Sequence, residues 1–425
     1  MVNTTGMKHL LIGLLLLGTA SAANLRIYPS FSEVRDPVTV QNGTVNIALP
    51  VSITQFLVPG SIDLEGVELV SGIQRLGATW LKTLEGQQVW LREGDKMTRV
   101  TLIRAEDLLI RDAEGRYRHV PYDALAFDQL PPRNPGSPLV QFQYRVSGGP
   151  RATLSYLTRG VTWGPRYTLR AEGSSANLTG LAELRNASEV DYQVEKGAEL
   201  YAGDVSLNYE GPMPYMQDAL TSRGAAEAAP APSAAPKIGN ASELRGLRRY
   251  ELSEAFTLPA QSTFTLPFLR PKISFERYGA LNIPFTQANT DGKLTRAYRI
   301  KADTFLPAGP ITVRDEGRIV GQATVADTPA GEAQDFKLGL DPDLNYTRAV
   351  QVVKQDKNGA SYRVTLTLEN RKARTVRAEV TEYFGGNVTV EGQATRTPEG
   401  ASVRVDVPAG AKVTRTYTIS FKYGG

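Results

Sequence analysis

Cysteine is absent from this chain. That excludes disulfides, a lipidated cysteine anchor, thiolate metal ligands and a cysteine nucleophile. The fold must therefore rest on packing alone. With 425 residues there is ample side chain to bury, and the length suggests about two to four domains. Histidine is nearly absent too, with only His9 and His119. A zinc or copper site gathers several histidines or cysteines, so no metal cofactor is expected. A Ser-His-Asp triad could run only through His119. Its setting, Tyr117-Arg118-His119-Val120, reads as a strand and favours a surface or structural histidine. No glycine loop suited to cradling phosphate is found, and no other cofactor is expected. Charge of one sign is not in excess: 48 basic residues face 44 acidic ones, for a net +4. That balance gives no reason to expect a nucleic-acid partner.

Long hydrophobic runs are also missing, with one exception at the N-terminus. Lys8 and His9 precede the apolar run Leu10-Leu11-Ile12-Gly13-Leu14-Leu15-Leu16-Leu17, and Ala20-Ser21-Ala22 has the small-residue form of a signal-peptidase site. The run is shorter than the ~20 apolar residues that span a bilayer. Residues 1–22 are thus expected to be a signal peptide, cleaved after Ala22, with Met7 a second candidate start. Export to the periplasm, cell envelope or cell surface follows, with no transmembrane helix in the mature chain. Losing Lys8 takes the balance from 48 to 47 basic residues against 44 acidic, or +3.

Alternation dominates the rest. Val45, Ile47, Leu49, Val51 and Ile53 are apolar at every second position. The same holds for Val140, Phe142, Tyr144 and Val146, for Tyr362, Val364, Leu366 and Leu368, and, with Arg415 the exception, for Val413, Tyr417, Ile419, Phe421 and Tyr423. Period two puts these side chains on one face of a strand. The turns Leu306-Pro307-Ala308-Gly309 and Val407-Pro408-Ala409-Gly410 share one form, and Leu258-Pro259-Ala260-Gln261 is close to it. The fold class is therefore all-β, with several sandwich or small-barrel domains and few or no helices after the signal peptide. Residues 24–79 form an N-terminal β segment, and 80–130 a small barrel-like module of short strands. Residues 138–280 form a β-domain, and 281–425 a C-terminal β-sandwich. Within the third segment, 224–236 is rich in Ala and Pro with almost no large apolar side chain. An exposed, disordered loop is expected there.

Few residues suggest chemistry. Glu106-Asp107 and Asp315-Glu316 are adjacent carboxylate pairs beside turn signals. On a strand, neighbours point to opposite faces and would not share a site. Asp341-Pro342-Asp343-Leu344-Asn345 has part of a calcium-loop pattern but lacks the glycine and closing glutamate of an EF-hand. Arg245, Arg248 and Arg249 form a local basic cluster best read as a solvated loop. The strongest binding candidate is Trp163 with Arg166 and Tyr167 in Gly160-Val161-Thr162-Trp163-Gly164-Pro165-Arg166-Tyr167. Trp and Tyr stack on sugar rings, and Arg pairs with carboxylates or phosphates. Core packing beside a Gly-Pro bend competes with that reading and is favoured.

The same segment resembles the tryptophan-proline-x-tyrosine signature opening the C-terminal domain of the mucoidy-inhibitor-like family of bacterial envelope proteins. Further matches follow in order: Leu181-Ala182-Glu183-Leu184-Arg185-Asn186, Leu258-Pro259-Ala260-Gln261-Ser262, Leu266-Pro267-Phe268 and Phe305-Leu306-Pro307-Ala308-Gly309. Leu368-Glu369-Asn370-Arg371-Lys372 and the closing Val407-Pro408-Ala409-Gly410 complete the set. The resemblance covers roughly residues 140–425. The N-terminal third departs from the family, because the helical coiled-coil insertion of many members is not there. What the resemblance implies is a β-sandwich envelope protein that influences surface polysaccharide or envelope organisation. It supplies no catalytic residues.

Function is accordingly expected to be structural or interactive, in an exported, non-enzymatic cell-envelope protein. The partner would be an envelope protein or a surface polysaccharide. One alternative is a carboxylate-based enzyme acting on a surface glycan, which would need neither histidine nor cysteine. Another is an outer-membrane barrel, against which the prolines and outward charges argue.

Overall fold

The computed structural model describes residues 15–16, 22–129, 131, 135–136, 138–207 and 236–423. Most of the expected signal peptide lies outside the described residues. So does the Ala/Pro-rich loop at 224–236, apart from Pro236. The protein is all-β: 67% of the described residues are in strands and 3% in helices, with two short α-helices among them. No helix among the described residues is long and apolar enough to cross a membrane.

The chain divides into two compact units. The first comprises Met1–Trp163 and Glu183–Leu266, the second Gly164–Ala182 and Pro267–Gly425. Each unit is thus assembled from two stretches of chain rather than from the linear segments that composition suggests. The boundaries fall inside the strands Val161–Glu172, Ser175–Asn186 and Ser262–Leu269.

In the first unit, the long strand Pro138–Thr158 organises the larger sheet. Along one side it pairs antiparallel with Thr44–Pro50 and then Ser32–Thr39; along the other it pairs with Asp63–Thr79. The period-two pattern holds along this strand, where Val140, Phe142 and Val146 are buried while Gln143 and Arg145 are not, but not at Val51 and Ile53, which the chain winds into the short helix Val51–Thr54 after Pro50. Asp63–Thr79 is different. Leu69, Ile73 and Leu76 are 61%, 62% and 69% exposed, so this strand adds little to the core.

Residues 80–126 hold a smaller sheet with its own core. Thr79 caps the helix Trp80–Thr83, its Oγ1 accepting from the Lys82 N–H at 3.1 Å. Five antiparallel strands follow in the order Leu125–Ala126, Gln88–Glu93, Lys96–Arg104, Leu109–Arg111, Tyr117–His119. They enclose Val89, Leu91, Val100, Leu102 and Ile110.

The second unit is built on a nine-stranded sheet. Gly359–Asn370 lies between Ala333–Asp356 and Lys412–Lys422. Val364, Leu366 and Leu368 are at most 1% exposed and share a core with Tyr417 and Ile419. Inside this core lies an ion pair. Arg348 Nε meets Glu382 Oε1 at 2.6 Å, and Nη2 meets Oε2 at 3.2 Å. Both side chains are essentially inaccessible, at 1% and 0%. Arg348 also donates to the carbonyls of Ala288 and Thr286, both at 2.9 Å, and Tyr417 donates to Glu382 at 2.7 Å. A second core contains Tyr167, Leu169, Ile311, Val313 and Phe336. There Val161–Glu172 pairs parallel with Gly309–Asp315, which turns back into Arg318–Val325.

One local device occurs once in each unit. Asn186 and Asn370 end their strands with buried amides. Asn186 Nδ2 donates to the carbonyls of Val190, Leu258 and Pro259; Asn370 Nδ2 donates to those of Arg374, Val407 and Pro408. In both, Oδ1 accepts from the N–H two residues on, at 3.0 Å. Two of the three recurring Pro-Ala turns seen in the sequence, those at 258–261 and 407–410, are thus copies of one clasp. Gln261 and Gly410, at positive φ, each donate an N–H back to the carbonyl two residues after the asparagine.

Candidate functional site

The second unit contains a cleft of about 520 Å³, within the ~300–1,000 Å³ range of small-molecule sites. Five elements supply its charged wall. Arg277 comes from Ile273–Pro284, Arg296 from Thr290–Ala302, and Asp315 with Arg318 from the hairpin Gly309–Val325. Asp341 comes from Ala333–Asp356; Lys372 and Arg374 follow Gly359–Asn370.

The carboxylates here are already engaged. Arg277 forks onto Asp315 at 2.6 and 2.8 Å and also donates to the Gly173 carbonyl. Tyr298 donates to Asp315 at 2.7 Å. Burial pushes the Asp315 carboxyl upward, but the Arg277 fork and the Tyr298 hydroxyl outweigh it and hold it below its ordinary value. Lys372 Nζ lies 2.6 Å from Asp341 Oδ2, while Asp341 Oδ1 accepts from the Asp343 N–H. Glu316 accepts from the Gly173 N–H at 2.9 Å. Three cations remain. Arg296, Arg318 and Arg374 make no side-chain hydrogen bond or ion pair among the described residues, and the Arg296 Nε is buried without a partner.

The expectation that Asp315 and Glu316 would not share a site is corrected here, because both line this cleft. Glu316 and Gly317 take φ of +49° and +77° in a two-residue hairpin turn. That turn ends the strand alternation on which the expectation rested. Asp341 lies in a strand and is held by Lys372. Among the described residues no group of three His, Asp or Glu could hold a metal ion.

Trp163, Arg166 and Tyr167 are not brought onto one surface. Their strand Val161–Glu172 alternates strictly between buried and accessible positions from 161 to 171. Trp163 is 2% exposed and Tyr167 fully buried, whereas Arg166 is exposed. The Trp163 indole donates to the Tyr201 carbonyl at 2.8 Å and meets the Tyr250 ring edge-on. The Tyr167 hydroxyl donates to the Pro307 carbonyl at 2.9 Å. Neither ring is open for stacking on a sugar. His119 is exposed, its Nδ1 3.1 Å from the Asp107 carbonyl oxygen. Of the cluster Arg245, Arg248 and Arg249, Arg249 pairs with Glu199 at 3.0 Å.

The cleft arginines were not legible in sequence. Arg277, Arg296, Arg318 and Arg374 are scattered over nearly a hundred positions with no motif. Only the sheet order brings them together. No protein-family model and no curated protein matches this chain.

Proposed function

We propose that this is an exported, non-enzymatic protein of the bacterial cell envelope, related to the mucoidy-inhibitor-like family and acting by binding an envelope protein or a surface polysaccharide. The ordered Trp-Pro, Asn and Pro-Ala-Gly motifs and the N-terminal signal pattern support it. The single observation that carries the binding reading is the state of the cleft. Each carboxylate there is held by a cation or a backbone N–H, while three arginines are left over. A glycosidase needs one carboxyl kept protonated as general acid. Asp315 is held in the opposite direction. Asp36, whose carboxyl is raised to about 6, is only 3% exposed and belongs to the other unit.

The test has two arms. The tagged protein is expressed in a bacterial host and fractionated. The mature form should begin at Ala23 and associate with envelope material; a chain retaining Met1 or Met7 refutes export. Purified protein is then incubated with extracted surface glycan. No new reducing ends should form, and their appearance would favour the carboxylate enzyme instead.

A further inference from the structure

We propose that the cleft of the second unit binds a multiply charged oxyanion ligand, whose carboxylate or phosphate groups are gripped by Arg296, Arg318 and Arg374. This deepens the binding reading above and rests on it only for the protein's setting, not for the site itself.

Five cationic and three acidic side chains line the cleft. Arg277–Asp315 and Lys372–Asp341 neutralise each other at 2.6 Å. Glu316 lies 3.9 Å from the already paired Arg277 and takes a backbone N–H. Five cations against three carboxylates leave the cleft with a surplus of two positive charges, carried by the arginines outside the two ion pairs, Arg296, Arg318 and Arg374. A guanidinium offers five donors in a planar fork matching carboxylate and phosphate oxygens. Buried donors without partners are rare, because leaving one unmade forfeits its hydration. The Arg296 Nε is such a donor. An oxyanion in the cleft would balance the charge left on the three guanidiniums with one set of planar contacts.

The internal ion pairs have a further role. Arg277 and Lys372 hold Asp315 and Asp341 in place, so these carboxylates are screened from an incoming anion. The tyrosine hydroxyls do not reach for ligand: Tyr278 donates to Asp335 and Tyr298 to Asp315. Recognition would thus be through charge and planar hydrogen bonding, not ring stacking. Arg318 and Arg374 are exposed and Arg296 is half-buried. That arrangement suits two peripheral contacts around one inner anchor.

The experiment is calorimetric titration of the purified protein with an oligouronate trimer, with tripolyphosphate, and with a neutral oligosaccharide of the same length. Variants are Arg296→Gln and the double change Arg318→Gln with Arg374→Gln, with the exposed Arg363→Gln as a control outside the cleft. The proposal expects at least one charged probe to bind and the neutral one not to. Affinity should weaken with added salt. Each cleft variant should lose at least tenfold, and the control should match wild type. Binding of the oligouronate alone identifies a carboxylate source, and binding of tripolyphosphate alone a phosphate source; either supports the site. Binding of neither, or equal binding by the cleft variants, overturns it. If Arg296→Gln unfolds, the double variant on exposed positions still decides. Because the titration uses no envelope material, its failure would leave the fractionation result standing, and the reverse.

Discussion

Removing Glu382 should cripple the second unit, and the size of the effect can be worked out in advance. Arg348 is the largest fully buried side chain among the described residues. Among the described residues its charge is balanced by Glu382 alone, which forks onto it at 2.6 and 3.2 Å. Glu382→Leu leaves a buried guanidinium with two carbonyl acceptors, Ala288 and Thr286, but no counter-charge. Breaking one side of such a pair costs about 3–5 kcal/mol. The Tyr417 hydroxyl loses its acceptor as well. For a domain of this size each kcal/mol moves Tm by about 2–4 °C, so a fall of roughly 6–20 °C is expected. Scanning calorimetry of wild type, Glu382→Leu, Arg348→Leu and the double variant measures it. The double variant should recover much of the loss, since apolar replacement of a complete buried pair is often neutral. A single-variant loss under about 1 kcal/mol, or strict additivity in the double variant, would refute the reasoning.

Three further outcomes follow from the same structure. Asp36 is buried with its Oδ1 unpartnered; burial, and secondarily Glu195, raises its carboxyl to about 6. The folded state thus holds this proton more tightly than the unfolded chain. Stability should be fully present below pH ~4, fall by roughly 3 kcal/mol as pH rises to ~6, and stay flat above. Asp36→Asn should therefore be stabilising at pH 8 but not at pH 4 in urea unfolding, and an equal effect at both would contradict this. Asn370→Ala strips donors from three carbonyls and should cost about 2–3 kcal/mol; Asn186→Ala should do the same in the first unit, read as lowered denaturation midpoints. Trp163→Ala removes a buried indole and its bond to the Tyr201 carbonyl, so about 3–5 kcal/mol should be lost. A stable Trp163→Ala protein would restore this residue as a binding candidate.

Local residue pattern was enough to set the fold class. Period-two alternation at Val140–Val146 and Tyr362–Leu368 is a local property, because each strand must sort its side chains between two faces. The Pro-Ala turns were equally legible, since proline and a positive-φ residue act within four positions. What Asn186 and Asn370 do at those turns was not, because each amide reaches carbonyls dozens of residues away. The same limit governs the candidate site. Trp163 and Tyr167 stood out by residue type, yet tertiary packing turned both rings inward. Arg277, Arg296, Arg318 and Arg374 carried no signal in a chain with 48 basic residues. Their meaning depends on which carboxylates sit within 3 Å, and sheet order alone decides that. Local chemistry can be read along a chain, but charge neutralisation is a sum over neighbours in space, and only the folded structure fixes those neighbours.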